Sequence, residues 1–205
     1  MFPDLVTYHI HRCEPLPPND ALAYQYVLAG NGLFIRAETR FFFARIPIAA
    51  AVVRGLPLLV ADFRLKIPRL SGSLLHSILA DARRARRPDG GLNEVFYQVH
   101  DRGGRVQVRR PSQLATGSSV VAAGNGDPAI LCDLHSHGNM AAFFSATDNA
   151  DEQGARLYGV IGKLDSEPEM RLRVGVYGYW VPLPLTALFV SSGPFRESAS
   201  FKEID

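Results

Sequence analysis

Residues 133–137 read Asp-Leu-His-Ser-His and residues 145–148 read Ser-Ala-Thr-Asp, with seven residues between them. Because residues two apart on a β-strand share a face, His135 and His137 are predicted to point the same way. Two such imidazoles can hold one metal ion, and Asp148, at the start of a following helix, can complete a three-ligand site. Three protein ligands leave the fourth position of zinc open, which is typical of catalytic sites.

His-x-His alone is a weak signal, and two surface histidines at a strand end are its alternative interpretation. Several metal-binding families contain the pattern. Polymerase-and-histidinol-phosphatase phosphoesterases, amidohydrolases and metallo-β-lactamases need further histidine ligands downstream, and the chain has no histidine after His137. A cupin needs a glutamate shortly after the second histidine, where Ala141 and Ala142 stand. These families are therefore disfavoured.

The spacing resembles the JAMM (JAB1/MPN/Mov34) metalloprotease family. Its motif is an upstream Glu, then His-Ser/Thr-His, seven residues and Ser-x-x-Asp, and residues 135–148 match it without a gap. The resemblance covers roughly residues 65–185. It implies an α+β fold, a JAB1/MPN-like mixed β-sheet flanked by helices, here with a β-rich N-terminal unit. That extension resembles, more narrowly, the JAMM proteins of plasmid-borne PRTRC systems.

The resemblance also implies a cofactor and the roles of the motif residues. The cofactor is Zn²⁺, and its ligands are His135, His137 and Asp148. Ser145 stabilises the oxyanion of the tetrahedral intermediate. A carboxylate that does not bind the metal serves as the general base.

Glu94 is the predicted general base, since it follows a helix and a loop and heads a strand, where the family has its glutamate. The rival carboxylates, Glu14 and Glu38, both belong to the N-terminal unit. The chain departs from the family pattern at two places: Gly138 stands where many members have proline, and Val95-Phe96-Tyr97 follows Glu94 where a glycine is common three residues on. Both departures concern the shape of the substrate groove.

The implied activity is hydrolysis of an amide bond, at the C-terminal tail or isopeptide linkage of a ubiquitin-like protein or peptide substrate. The resemblance implies an E1-like enzyme of the same system as a further partner. Two other functions stay open. One is a non-catalytic MPN-like scaffold, which the complete ligand set disfavours. The other is a plasmid- or nucleic-acid-associated module, suggested by a basic cluster that consists of Arg83, Arg84, Arg86, Arg87, Arg109 and Arg110.

The chain is predicted to contain a β-rich unit over residues 1–65, the JAMM domain over residues 66–190 and a polar, loose tail over residues 191–205. The expected elements are strands over 24–28, 33–37 and 40–46, a helix after Ser71 or Ser73, a hairpin over 94–109, a strand over 129–135, a helix over 148–164 and a strand over 171–181. The mostly apolar composition of residues 129–135 indicates a central strand.

Composition favours an ordinary globular protein. Of the 205 residues, 47% are hydrophobic and 20% charged, and 22 basic against 20 acidic residues leave a net charge of +2. This balance does not favour nucleic acid as a partner. The two cysteines, Cys13 and Cys132, are too few for a disulfide framework. With no signal peptide or membrane segment predicted, the expected location is the cytoplasm.

Overall fold

A computed structural model describes residues 4–115, 120–122 and 127–197. They form a mixed α+β fold, mostly strands with two short α-helices, which confirms the predicted fold class. The chain divides into two compact units. The first consists of Met1–Ile67, Glu152–Ala155 and Gly175–Val181, and the second of Pro68–Asp151, Arg156–Val174 and Pro182–Asp205. The predicted domains stay a prediction, because a compact unit is not by itself a domain that folds alone.

The first unit contains a five-stranded sheet in the order β1-β2-β3-β4-β5. Its strands are β1 (Val6–Ile10), β2 (Tyr24–Ala29), β3 (Gly32–Glu38), β4 (Phe42–Ala50) and β5 (Asp62–Leu65). β1 runs parallel to β2, and the remaining neighbours are antiparallel. Gly32, the first residue of β3 after the turn from β2, adopts a φ of 139°, a conformation that favours glycine. Val27, Ala29, Phe34 and Leu59 form a buried apolar cluster beneath the sheet.

The second sheet follows the order β13-β12-β11-β10-β6-β7, with β14 added beside β12. Its strands are β6 (Phe96–Arg102), β7 (Arg105–Arg109), β10 (Ile130–Ser136), β11 (Arg156–Gly162), β12 (Glu169–Val176), β13 (Tyr179–Leu183) and β14 (Arg196–Glu197). The predicted hairpin is β6 and β7. β10 pairs with β11 in parallel and with β6 in antiparallel fashion, and all seven of its residues are buried. The strand that carries the first histidine is therefore central. A separate two-stranded sheet pairs β8 (Gln113–Ala115) with β9 (Val120–Ala122).

Helix α1 spans Ser73–Ala82 and buries Leu75, Ile78, Leu79 and Ala82 along one face. This is the three- and four-residue spacing that the sequence predicts. The Tyr97 hydroxyl of β6 donates a hydrogen bond to Asp81 of α1 at 2.8 Å, so a polar contact fixes the helix to the sheet. In the described part of the chain, every helix is too short and too polar to span a bilayer.

The predicted helix over residues 148–164 is wrong in most of its length. Helix α2 spans only Ala146–Asp151, and β11 begins at Arg156. β11 reads Arg-Leu-Tyr-Gly-Val-Ile-Gly and is buried from its second residue onward. A strand buried on both faces shows a continuous apolar run instead of alternation, so periodicity alone did not separate it from a helix.

Two further predictions differ from the structure in detail. The predicted strand over residues 171–181 is two strands, β12 and β13, joined by a turn in which Tyr177 has a φ of 49° and Gly178 a φ of 86°. Within the predicted tail, Phe195 is buried and β14 pairs with β12, so residues 191–197 form part of the fold. Residues 198–205 of that tail lie outside the described residues.

Candidate metal centre

His135 and His137 are positioned by the end of the central strand β10. His135 lies within the strand, and His137 follows its last residue. The backbone N–H of His137 still donates to the carbonyl of Ile161 on β11 at 2.8 Å, which continues the parallel pairing one residue further. The extended backbone therefore directs both imidazoles to the same side, as the sequence predicts.

Asp148 is positioned by a reciprocal cap at the start of helix α2. The Asp148 N–H donates to Ser145 Oγ at 3.1 Å, and the Ser145 N–H donates to Asp148 Oδ2 at 2.5 Å. This arrangement is a capping box, in which two otherwise unsatisfied backbone donors at a helix start find side-chain acceptors. The Ser-x-x-Asp spacing thus has a local structural cause, and it leaves Asp148 Oδ1 directed away from the helix.

The three predicted ligand side chains converge. His135 Nε2 lies 3.1 Å from His137 Nε2 and 3.2 Å from Asp148 Oδ1. One ligand atom from each residue lies within 4.8 Å of both others, and among the described residues this is the cluster of histidine, cysteine and carboxylate groups that could hold a metal ion. His135 and His137 are buried and Asp148 is half-buried. The structure therefore brings Asp148 to two histidines that precede it by eleven and thirteen positions in the sequence.

The donor set and its spacing fit zinc. Two imidazole nitrogens and a carboxylate oxygen are ligands that zinc prefers. With metal–ligand distances of about 2.0–2.1 Å and tetrahedral angles, neighbouring ligand atoms are expected about 3.3 Å apart. Two of the three observed separations, 3.1 and 3.2 Å, are close to this value, and all three ligand atoms lie within 4.8 Å of one another.

The electrostatics of the cluster also suit a cation. Burial lowers the pKa of His137, and the nearby His135 lowers it further, so the imidazole is held in its neutral, ligating form. Burial by itself would raise the pKa of Asp148. The hydrogen bond and charge of His135, together with hydrogen bonds from Ser145, nevertheless hold that pKa well below its ordinary value. The aspartate is therefore ionised across the physiological range.

Glu94 lies beside this cluster, two residues before β6 begins. Its side chain is only 5% exposed, and its carboxylate accepts no hydrogen bond from the described residues. Burial raises the pKa of Glu94 above its ordinary value; the nearby His135 opposes that rise and Asp148 adds to it. Burying a carboxylate without a partner costs free energy of folding. Such a carboxylate is available to accept a proton from a bound molecule.

The backbone next to Glu94 is tied to the residue between the two histidines. The Val95 N–H donates to Ser136 Oγ at 2.9 Å, and the Ser136 N–H donates to the Val95 carbonyl at 2.9 Å. Ser136 is completely buried. The serine of His-Ser-His thus acts as a clamp that joins the glutamate segment to the histidine strand, a role that the motif alone did not indicate.

The loop between His137 and Asp148 is held by contacts that the sequence did not predict. The Ala142 N–H donates to Glu169 Oε1 at 2.7 Å, and Glu169 Oε2 pairs with Lys163 at 3.0 Å. Gly162 packs against the same loop: a Cβ atom there would lie 2.5 Å from the Ala142 nitrogen and closer still to the Met140 carbonyl. Glu169 follows the motif by more than twenty residues, and no local pattern connects it to the site.

Phe143 lies on this loop with its ring edge-to-face on the imidazole of His137, at a centroid distance of 4.6 Å. It is 42% exposed, so the ring contacts the imidazole of His137 and is also open to solvent. The ring of Phe144 instead lies against Arg173, 3.7 Å from ring centroid to guanidinium carbon. Of the two phenylalanines, Phe143 is therefore the one that offers apolar surface beside His137.

The first departure from the family pattern has a backbone explanation. Gly138 adopts a φ of 57°, which lies in the left-handed region that favours glycine. Proline has a φ fixed near −65° and cannot adopt this conformation. The chain directly after His137 therefore takes a path that a proline at that position would not permit.

Neighbours of the histidines on β10 have structural roles. Cys132 is completely buried, and strand alternation puts it on the face opposite to His135. Asp133 is also buried and pairs with Arg156 of β11 at 2.5 Å. That ion pair joins the two parallel strands two residues before His135.

The rival general bases have other partners. Glu14 contacts His11 Nε2 at 2.8 Å, and Glu38 pairs with Lys66 at 2.5 Å. All four residues belong to the first unit. The second His-x-His, at positions 9 and 11, gathers no third ligand among the described residues.

Several members of the predicted basic cluster are engaged within the fold. Arg86 pairs with Asp165 at 2.7 Å and Arg87 with Asp89 at 3.2 Å. Arg83 Nε donates to the carbonyl of Leu164 at 2.6 Å. These contacts reduce the charge that the surface offers to a polyanion, and they weaken the nucleic-acid interpretation.

The fold and the converging ligands define a mixed α+β domain with a potential metal site at the end of its central strand. Residues 75–175, about half of the chain, match the model of the family described as prokaryotic homologs of the JAB domain. This match confirms the predicted relationship to the JAB family over that range. All five predicted site residues fall within the match, and the narrower PRTRC resemblance stays a prediction. No curated protein matches the chain.

Proposed function

We propose that this protein is a zinc-dependent peptidase or isopeptidase that hydrolyses an amide bond at the C-terminal tail of a ubiquitin-like protein or its conjugate. The observation that carries the proposal is the convergence of His135, His137 and Asp148 beside the buried carboxylate of Glu94. A purely scaffolding domain has no need for a complete ligand set together with a desolvated acid. An E1-like enzyme of the same system is the further partner that we propose.

The ligand residues would hold zinc through His135 Nε2, His137 Nε2 and Asp148 Oδ1. Bound zinc would supply Lewis acidity at the scissile carbonyl and at the attacking water. Asp148 brings the negative charge of the ligand set, while its other oxygen stays in the cap with Ser145.

Glu94 would accept the proton of the attacking water and transfer it to the nitrogen of the departing amine. Its raised pKa supports both steps, because a group that titrates nearer to neutral pH is a better acid–base catalyst than an ordinary glutamate. Its carboxylate accepts no hydrogen bond from the residues that the structure describes, so both oxygens are available for this role.

Ser145 would donate a hydrogen bond to the oxyanion that forms on the carbonyl oxygen when water adds to the carbonyl carbon. In the structure Ser145 Oγ accepts from the Asp148 N–H, and its hydroxyl donates to the Asp148 carboxylate. Rotation of that proton toward the substrate is sufficient for the proposed role, and the cap through Oγ is retained. Phe143 would contact the extended tail of the substrate.

The proposal is tested with ubiquitin-like proteins from the same organism, each carrying a short C-terminal extension. Zinc-loaded enzyme, chelator-stripped enzyme and stripped enzyme with zinc restored are incubated with each, and products are identified by intact mass. We expect cleavage by the first and third preparations only. Absence of cleavage by the zinc-loaded enzyme, with a partner still bound in pull-down, would favour the scaffold.

A further inference from the structure

A cavity of about 350 Å³ lies within the first unit, on one face of the five-stranded sheet. Four of the side chains that line it are cationic: Arg36, Arg45, Arg64 and Lys66. Its apolar walls are the ring of Phe43 and the loop at residues 16–18. Glu38 is the single carboxylate among the described residues that line it.

The strand register brings these charges together. Arg36 on β3 stands directly opposite Arg45 on β4, and Phe43 stands opposite Glu38 on one side and Arg64 on the other. Residues in direct register share a face of the sheet, and like charges that face each other across strands are destabilising. On its other side Arg45 stands opposite Asp62 of β5, whose carboxylate pairs with Arg64 at 3.2 Å, so Arg36 and Arg45 still face each other as like charges.

The available carboxylates are bound to other groups. Glu38 pairs with Lys66 at 2.5 Å, and Asp62 pairs with Arg64 at 3.2 Å. Asp20 is held by Thr7 and Gln25, each at 2.8 Å. No carboxylate therefore lies within ion-pair distance of Arg36 or Arg45 in the part of the chain that the structure describes.

Arg36 is the most unusual of the cations. It is only 3% exposed, and its guanidinium donates to two neutral oxygens, the side-chain carbonyl of Gln25 and the backbone carbonyl of Pro18. Burial lowers the pKa of Arg36 and the charge of Arg45 lowers it further, against the opposing effects of Asp20 and Glu38. Arg45 is half-buried, and its Nε donates to the carbonyl of Val60 at 2.8 Å. Both positive charges thus rest on neutral acceptors.

We propose that this cavity binds a small phosphate monoester, with the phosphoryl group between the guanidinium groups of Arg36 and Arg45. A phosphate monoester carries a charge of about −1.5 to −2 at neutral pH and three acceptor oxygens, which balances two arginines. Guanidinium groups match pairs of phosphate oxygens in bidentate geometry. The volume falls in the range of about 300–1,000 Å³ that small-molecule sites occupy, and Phe43 and the proline loop supply contact for the esterified group.

The experiment is isothermal titration calorimetry of the full-length chain with inorganic phosphate, adenosine monophosphate and malonate at low salt. We expect saturable binding of phosphate or the nucleotide, and weaker binding of malonate. Tighter binding of the nucleotide than of phosphate would assign a nucleotide ligand. Equal affinities would assign the phosphoryl group alone and so a non-nucleotide ester.

Two variants and one control locate the site. Arg45→Gln should weaken binding about tenfold or more, as expected for the loss of a charge-assisted bidentate contact. Arg64→Gln, at an exposed position, should weaken it less. Arg54→Gln, an exposed arginine of the same unit that does not line the cavity, should have no effect. A melting temperature that rises with phosphate in the wild type but not in Arg45→Gln would give the same result by linkage.

Three outcomes would overturn the proposal. One is the absence of saturable phosphate or nucleotide binding up to about 10 mM. The second is equal binding by Arg45→Gln and the wild type. The third is malonate binding as tight as that of phosphate, which would assign a carboxylate ligand.

Discussion

The chain carries two polar clusters of opposite charge, one in each compact unit. The cluster around His135, His137 and Asp148 combines neutral imidazoles with carboxylates, and its atoms converge on a point suited to a cation. The cluster around Arg36 and Arg45 combines guanidinium groups with neutral acceptors, and it lines a cavity suited to an anion. The comparison shows that a cation would balance the carboxylate charge of the first cluster, and that an anion would balance the guanidinium charge of the second.

The largest effect is expected from a change that separates zinc binding from amide hydrolysis in the cluster around His135, His137 and Asp148. Glu94→Gln preserves the shape of the side chain but removes the proton acceptor, so it should reduce hydrolysis by about 10²–10⁴-fold and retain zinc. The measurement is the cleavage rate together with metal content. A variant that cleaves at the wild-type rate would show that another group is the base.

Ser145→Ala removes the proposed oxyanion donor and should lower kcat by about 10²-fold. The same change also removes the cap of α2, which costs about 1 kcal/mol. Ser145→Thr is the matched control, because threonine keeps a hydroxyl for both roles. Loss of zinc from the alanine variant, in place of a lower kcat with zinc retained, would restrict Ser145 to positioning Asp148.

Gly162→Ala tests the support of the ligand loop. The new methyl group meets backbone atoms of Met140 and Ala142, so we expect a destabilisation of about 1–3 kcal/mol and weaker zinc binding. Gly159→Ala, in the same strand, mainly meets the flexible ends of Leu134 and Met170 and serves as control. Thermal unfolding and zinc titration report the two effects. Equal zinc affinities in both variants would show that this loop does not support the metal site.

The smallest expected effect tests whether the two clusters are separate sites. Arg45→Gln should weaken phosphate binding about tenfold and leave zinc content unchanged. His137→Ala should lose zinc and bind phosphate with wild-type affinity. Calorimetry measures the phosphate affinity of both variants, and metal analysis measures their zinc content. Phosphate binding that disappears in His137→Ala would assign the phosphate to the metal centre.

The two clusters also differ in how far the sequence could predict them. The three predicted ligands lie within fourteen consecutive residues. Strand alternation and a capping box are local rules, so the spacing of these residues was sufficient to predict that their side chains converge. The cationic cavity depends on the register of three strands and on a loop. A shift of one residue would turn Arg45 to the other face, and no local pattern specifies that register.

The erroneous helix over residues 148–164 has a related cause. Its polar start does form α2, but the apolar run from Leu157 to Gly162 belongs to a parallel strand that is buried by tertiary contacts. Glu94 was predicted from its order in the chain. The burial of Glu94, the absence of a hydrogen-bond partner for it among the described residues and the contact between Val95 and Ser136 are visible only in the folded structure.

The most direct test of the central claim is zinc content per chain, measured by elemental mass spectrometry on protein purified in metal-free buffer and then offered one equivalent of zinc. We expect close to one zinc per wild-type chain and almost none in His137→Ala. A folded wild-type protein that takes up no zinc, or a His137→Ala variant that retains it, would contradict the assignment of this site.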